Sequence, residues 1–140
     1  MSIQAVLLPL FVEVTLTFVL LFWMAYHRTS ALQAGEIDPG NIALREPNWP
    51  ARITQVANAF QNQLELPVLF YVLTALSLIT RHADLIFVVL AWVFVVCRLL
   101  HAYIHVTSNN IRQRGPVFGV GALALTIMWV IFMIRILLGI

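Results

Sequence analysis

Four long apolar runs decide what this chain can become. They cover about Ile3 to Tyr26, Ala51 to Thr80, Ala83 to Thr107 and Pro116 to Leu138. Each reaches the roughly 20 residues that a helix needs to cross about 30 Å of hydrocarbon. A backbone in lipid must satisfy its own hydrogen bonds, so runs of this length are read as helices. Helices are therefore expected over about 3–27, 51–80, 83–107 and 116–138, in one domain spanning 1–140. The composition agrees. Of the 140 residues 61% are hydrophobic and only 10% are charged, where a soluble domain carries about a quarter. The expected fold class is an all-α membrane protein, a four-helix transmembrane bundle. The first run has no basic start and is long for a leader peptide, so it is expected to stay as a helix.

The remaining features exclude several functions. All eight basic residues are Arg, the net charge is +2, and no basic cluster suits nucleic acid. The single Cys97 excludes an intrachain disulfide and reads as a small core residue. No glycine-rich phosphate loop occurs. Four spans without an internal repeat argue against a transporter. The loops after the first and third runs carry Arg28, Arg45, Arg52, Arg112 and Arg114. The positive-inside rule places those loops in the cytoplasm and both termini outside it.

Polar residues inside apolar runs are the candidates for function, because lipid makes them expensive. In the second run Asn58, Asn62 and Glu65 fall on one helical face, with Gln61 beside them. Pro67 lacks an amide proton and clashes four residues back, so a kink is expected near Gln63. In the third run Arg98, His101 and His105 share a face. At about 1.5 Å per residue, Glu65 and Arg98 fall at similar depths, and they are expected to neutralise each other. Arg112 and Arg114 cap the same end. The expected result is a polar, net-positive cleft suited to an anion, since guanidinium groups bind carboxylates bidentately. The plain alternative is that these side chains join helices. His101, His105 and Glu65 could also hold a metal, but Arg98 one turn away opposes a cation, and no metal site is expected. Glu13, inside the first run, reads as a protonated or paired carboxyl in a helix contact, or else as a proton or substrate ligand. Gly115-x-x-x-Gly119 could allow a close helix approach.

The motifs Asn62-x-x-Glu65-x-Pro67, Arg98-x-x-His101 and Arg114, in that order across about residues 50–120, resemble the MAPEG family. These are membrane-associated proteins of eicosanoid and glutathione metabolism. The segment Leu64 to Tyr71 looks more like bacterial members than like the eicosanoid enzymes, which implies an inner-membrane location. The resemblance implies a homotrimer in contact with membrane lipid, with sites between subunits. It implies glutathione as cosubstrate, held by Asn62, Glu65, Arg98 and His101 and, more loosely, by Arg28. It implies that Arg114 stabilises the thiolate, while His105 could donate a hydrogen bond or act as a base. The expected activity is transfer to, or peroxide reduction of, a lipophilic substrate. The chain departs from the family pattern at Gln61 (usually Arg), His105 (usually Tyr) and Gly115 (Ser in prostaglandin E synthase). Those departures carry the alternative reading, a non-catalytic membrane subunit or lipid-binding scaffold.

Overall fold

The computed structural model describes all 140 residues and contains only helices and their connections. Helix α1 covers Ile3–Gln33, α2 Ala51–Asn62, α3 Leu66–Ile79, α4 Leu85–Val106 and α5 Ile111–Leu138. Four stretches are long and apolar enough to cross a membrane: α1, α2 with α3, α4, and α5. The chain is an all-helical integral membrane protein. Successive spans run up and down. One end holds the loop 34–50 and the turn 107–110. The other holds both termini and the turn 80–84.

The helix ends differ from expectation in ways that local chemistry explains. No breaker follows His27 until Gly35, so α1 continues to Gln33. There Gly35 adopts φ +73°, and the Glu36 and Gly35 amides donate back to Ala31 (3.0 Å) and Leu32 (3.2 Å). This paired closure turns the chain out of the helix. The loop itself contains one short 3-10 turn, Pro39–Asn41, capped by Asp38. Helix α5 starts at Ile111 rather than Pro116, because the Asn110 side chain accepts from the Arg112 amide at 3.0 Å and caps it. Arg114 is therefore in the first turn of α5 and not in a loop.

The second span is broken rather than merely kinked. Helix α2 stops at Asn62 and α3 begins at Leu66, with Pro67 in its first turn. Proline suits that position because its missing amide proton would have no partner there. The same residue that ends one helix thus starts the next.

The core consists of two apolar clusters. The larger joins Val6 of α1, Phe70 and Leu73 of α3, Phe94 and Val95 of α4, and Leu125 and Met128 of α5. The smaller joins Leu20 of α1, Val56 and Ala59 of α2, and Ala102 and Val106 of α4. Between them along α1 lies Glu13, along α4 Arg98, and along the second span the α2–α3 break. A polar layer therefore separates two dry layers. Helices α4 and α5 approach closely at Gly121, where a Cβ would lie 3.1 Å from the Cβ of Cys97. Gly115 and Gly119, by contrast, have nothing within 4 Å of that position; the close contact is made two residues further along.

Only 28 of the 140 residues are buried, so most apolar side chains face outward. Phe11, Phe18, Phe22, Val89, Val93 and Val96 are among the exposed ones. In a membrane protein such faces meet lipid or another copy of the chain.

The end carrying the termini is fastened by polar contacts. Asp84 caps α4 by accepting from the Phe87 amide at 3.0 Å, and Arg135 of α5 donates to its other oxygen at 2.7 Å. His82 Nε2 lies 2.8 Å from the Ile140 carbonyl oxygen. Burial pushes the Asp84 carboxyl up, but the Phe87 amide and the Arg135 guanidinium outweigh it and hold it below the usual aspartate range. A depressed folded value means stabilisation that is present above the unfolded pKa of about 3.9 and is lost as pH falls through the folded value. Asp84→Asn keeps the cap and loses the charge. Thermal unfolding in detergent should show the wild type losing stability below about pH 4 more steeply than the variant. Parallel profiles would show that the Asp84 charge adds nothing.

Candidate functional site

At the α2–α3 break the last carbonyls of α2 are met by tightened amide bonds, from Gln63 to Phe60 at 2.9 Å, Leu64 to Gln61 at 3.0 Å and, longest, Glu65 to Asn62 at 3.4 Å. Arg98 adds a second donor at Asn62. Its Nη2 donates to the Asn62 carbonyl oxygen at 3.1 Å and also to Asn62 Oδ1. Asn62 Nδ2 in turn donates to Glu65 Oε1 at 3.3 Å. Glu65 is exposed and forms no ion pair with Arg98. The expected direct pairing is corrected by this geometry: the turn at 63–65 carries Glu65 out of the helical register that would have aimed it at α4. Asn62 stands between the two charges instead.

His101 and His105 follow Arg98 on the buried face of α4. Their ring centroids are 5.5 Å apart, edge to face. Phe118 of α5 packs on this group, 5.6 Å from the His101 ring and 6.0 Å from the Arg98 guanidinium carbon. Each imidazole keeps a buried Nδ1 without a partner. Arg114 is half-buried and precedes Phe118 by one turn of α5. Asn109 Oδ1 accepts from Arg114 Nη1 at 2.5 Å, and Asn109 itself sits at φ 52° in the turn before α5. No group of three or more metal-ligating side chains occurs.

Arg28 lies apart from this group. Its guanidinium stacks 5.0 Å over the Trp49 ring. It lines a polar cavity at the loop end together with Arg45, Glu46, Asn58 and Gln61. The stripe on α2 thus divides: Asn58 and Gln61 face the Arg28 cavity, while Asn62 turns to Arg98.

Sequence reasoning missed Asn109, Phe118 and Arg52. Arg52 Nη1 donates to the Val106 carbonyl oxygen at the end of α4, and its guanidinium lies 5.2 Å over the Trp23 ring. Phe118 was findable, because it follows Arg114 by one helical turn, provided α5 is known to begin before Pro116.

The arrangement brings Asn62, Arg98, His101, His105 and Arg114 to one region between α2, α4 and the start of α5, with Glu65 at its edge. Two guanidinium groups and two imidazoles there present many donors and few acceptors. Such a set holds an anion or a developing negative charge. The MAPEG family profile matches residues 6–134. The chain belongs to the MAPEG family. Membership places it among membrane proteins with glutathione-related transferase, peroxidase or related functions, at the level of the family. No curated protein and no solved structure matches it significantly.

The geometry ranks three substitutions in this MAPEG chain. Arg98→Ala should destabilise the protein by about 3–5 kcal/mol, the range for removing one partner of a buried charged contact, because it strips both Asn62 acceptors of the guanidinium donor and leaves a cavity. Asn62→Ala should cost about 1–3 kcal/mol, since it withdraws one of the two acceptors. Glu65→Ala, at an exposed position, should stay within about 0.5 kcal/mol. Thermal unfolding in detergent measures all three. A loss for Glu65→Ala as large as that for Arg98→Ala would restore the direct pair.

Proposed function

We propose that the protein uses glutathione to modify a lipophilic substrate dissolved in the bilayer, by transfer to an electrophile or by peroxide reduction. The observation that carries this reading is Arg114: a guanidinium tethered through one nitrogen to Asn109, with its other donors free, beside Arg98, His101 and His105. The residues fit the tripeptide chemically. Two carboxylates need cations and amide partners, and Arg98, Asn62 and the Arg28 cavity offer both. Glutathione would supply the nucleophilic sulfur. Arg114 would hold the sulfur as thiolate, because a nearby cation lowers a thiol pKa from about 8.5. Asn62, Glu65, Arg98 and His101 would orient the peptide, and His105 would donate to the thiolate or take its proton.

The assembly proposed is a homotrimer, supported by family membership and by the long exposed apolar faces of the spans. Subunits related in this way would let Arg28 of one chain serve a site on its neighbour. The location proposed is a bacterial inner membrane with both termini outside the cytoplasm. In a cysteine-free background, Asn109→Cys should then resist an impermeant thiol reagent applied to intact cells. Ready labelling would reverse the orientation.

The scaffold reading rests on His105 and Gly115, where the usual hydroxyl donors are missing. It is separable by experiment. On the transferase reading, millimolar glutathione with purified protein should give thiolate ultraviolet absorbance at neutral pH. Arg114→Ala should abolish that absorbance, and conjugation to a hydrophobic electrophile, while the oligomer survives. A wild type that gives no glutathione-dependent signal would be the scaffold. If glutathione binds but stays protonated, Gly115→Ser should begin to recover the thiolate. Nothing lies within 4 Å of a Cβ at that position, so the serine fits without strain.

A further inference from the structure

Glu13 has no part in the reading above, yet it is completely enclosed. It lies on α1 with no exposed surface, and neither carboxyl oxygen has a hydrogen-bond partner in the protomer. Arg98 is 2% exposed. It directs Nη2 to Asn62 and leaves Nε and Nη1 buried without an acceptor. Tyr71 of α3 adds a buried, unpartnered hydroxyl. Glu13 and Arg98 sit on α1 and α4, which pack against each other. Both occupy the layer between the two apolar clusters.

A guanidinium does not release its proton in a protein. Enclosed in a membrane bundle, it needs a counter-charge. Glu65 is exposed and engaged by Asn62, so it is a poor one. Glu13 shares its layer with Arg98 but does not form a direct ion pair with it. Two unpartnered buried acceptors and two unpartnered buried donors in one layer are what a bridging water satisfies. A protonated Glu13 would leave Arg98 uncompensated.

We propose that Glu13 is the counter-charge of Arg98, joined to it through water, and that the pair holds Asn62 at the α2–α3 break. Glu13 is then a positioning residue: it acts on the site through Arg98. Its effect on ligand binding rests on the glutathione reading. Its charge state does not.

The test uses the full-length protein, purified and carrying 13C-carboxyl glutamate. The infrared difference between wild type and Glu13→Gln isolates the Glu13 band. A carboxylate stretch is expected, and it should become the carbonyl stretch of a protonated acid in Arg98→Gln but not in Arg98→Lys. A protonated band in the wild type overturns the proposal even if no Arg98 variant folds. So does a carboxylate band that survives Arg98→Gln unchanged. The thermal midpoints of Glu13→Gln, Arg98→Gln and the double variant should form a non-additive cycle, the double losing less than the sum. Glutathione affinity should fall about tenfold in Glu13→Gln and recover in Glu13→Asp. Absence of glutathione binding in the wild type would sink the functional reading while the infrared bands still decide the pair.

Discussion

An arginine enclosed in a membrane bundle has to be satisfied by the protein itself. Arg98 is that residue, and much of the surrounding architecture follows from it. Water cannot reach it freely, and lipid offers no acceptor. A regular helix offers none either, because its carbonyls are already bonded within the helix. At the break between α2 and α3 the Asn62 carbonyl keeps only a long backbone bond, from the Glu65 amide at 3.4 Å, and also accepts from Arg98. Pro67 makes the break, since it can neither donate to Gln63 nor pack against it in a continuous helix. The proline opens the break and the arginine fastens it: Pro67 leaves the Gln63 carbonyl without its helical donor, and Arg98 adds a side-chain donor at Asn62.

The same constraint divides the core. Phe70, Phe94 and Leu125 make one dry cluster and Val56, Ala59 and Ala102 the other, and neither contains a charged group. Between them the polar layer leads by way of His101 and His105 towards Arg114 and the loop end. Apolar packing on both sides keeps the effective dielectric low, so charges in the layer act on one another more strongly than they would in water. A low dielectric also makes uncompensated charge intolerable. The layer is consequently a place where a few residues decide a great deal, and where the chain can carry a reactive group without opening its core to solvent.

Much of this was readable in the residues. The four spans follow from apolar run length, the interruption near Gln63 from Pro67, and the shared face of Arg98, His101 and His105 from helical spacing. What escaped were the choices made between helices. Depth along a span suggested Glu65 as the partner of Arg98, but the turn at 63–65 changes the direction of that side chain, and a break shifts register in a way that spacing alone cannot express. Glu13 has no local signal, because its environment is built by residues more than fifty positions away. Gly115 and Gly119 have the spacing of a contact motif, yet Gly121 makes the close approach; which face of α5 meets α4 depends on tertiary packing. The start of α5 lies ahead of the apolar run that begins at Pro116, because Asn110 caps the helix by accepting from the Arg112 amide.

The departures from the family pattern look different once the charges are placed. Glu65 is bonded to Asn62 at the edge of the site and forms no ion pair with Arg98. Arg114 has no carboxylate partner; its bonded neighbour is a neutral amide. It is the cation of the region best able to meet an incoming anion. The family's arginine is absent at position 61, yet Gln61 lines a cavity that already contains Arg28 and Arg45. Positive charge is present at that location although it is contributed by α1 and the loop. Loss of the arginine at 61 is therefore not loss of positive charge from the cavity. The substitution that bears most directly on chemistry is His105: an imidazole can donate to a thiolate or take its proton, whereas a tyrosine hydroxyl at neutral pH chiefly donates. A tyrosine in its place would keep the hydrogen bond and remove the base.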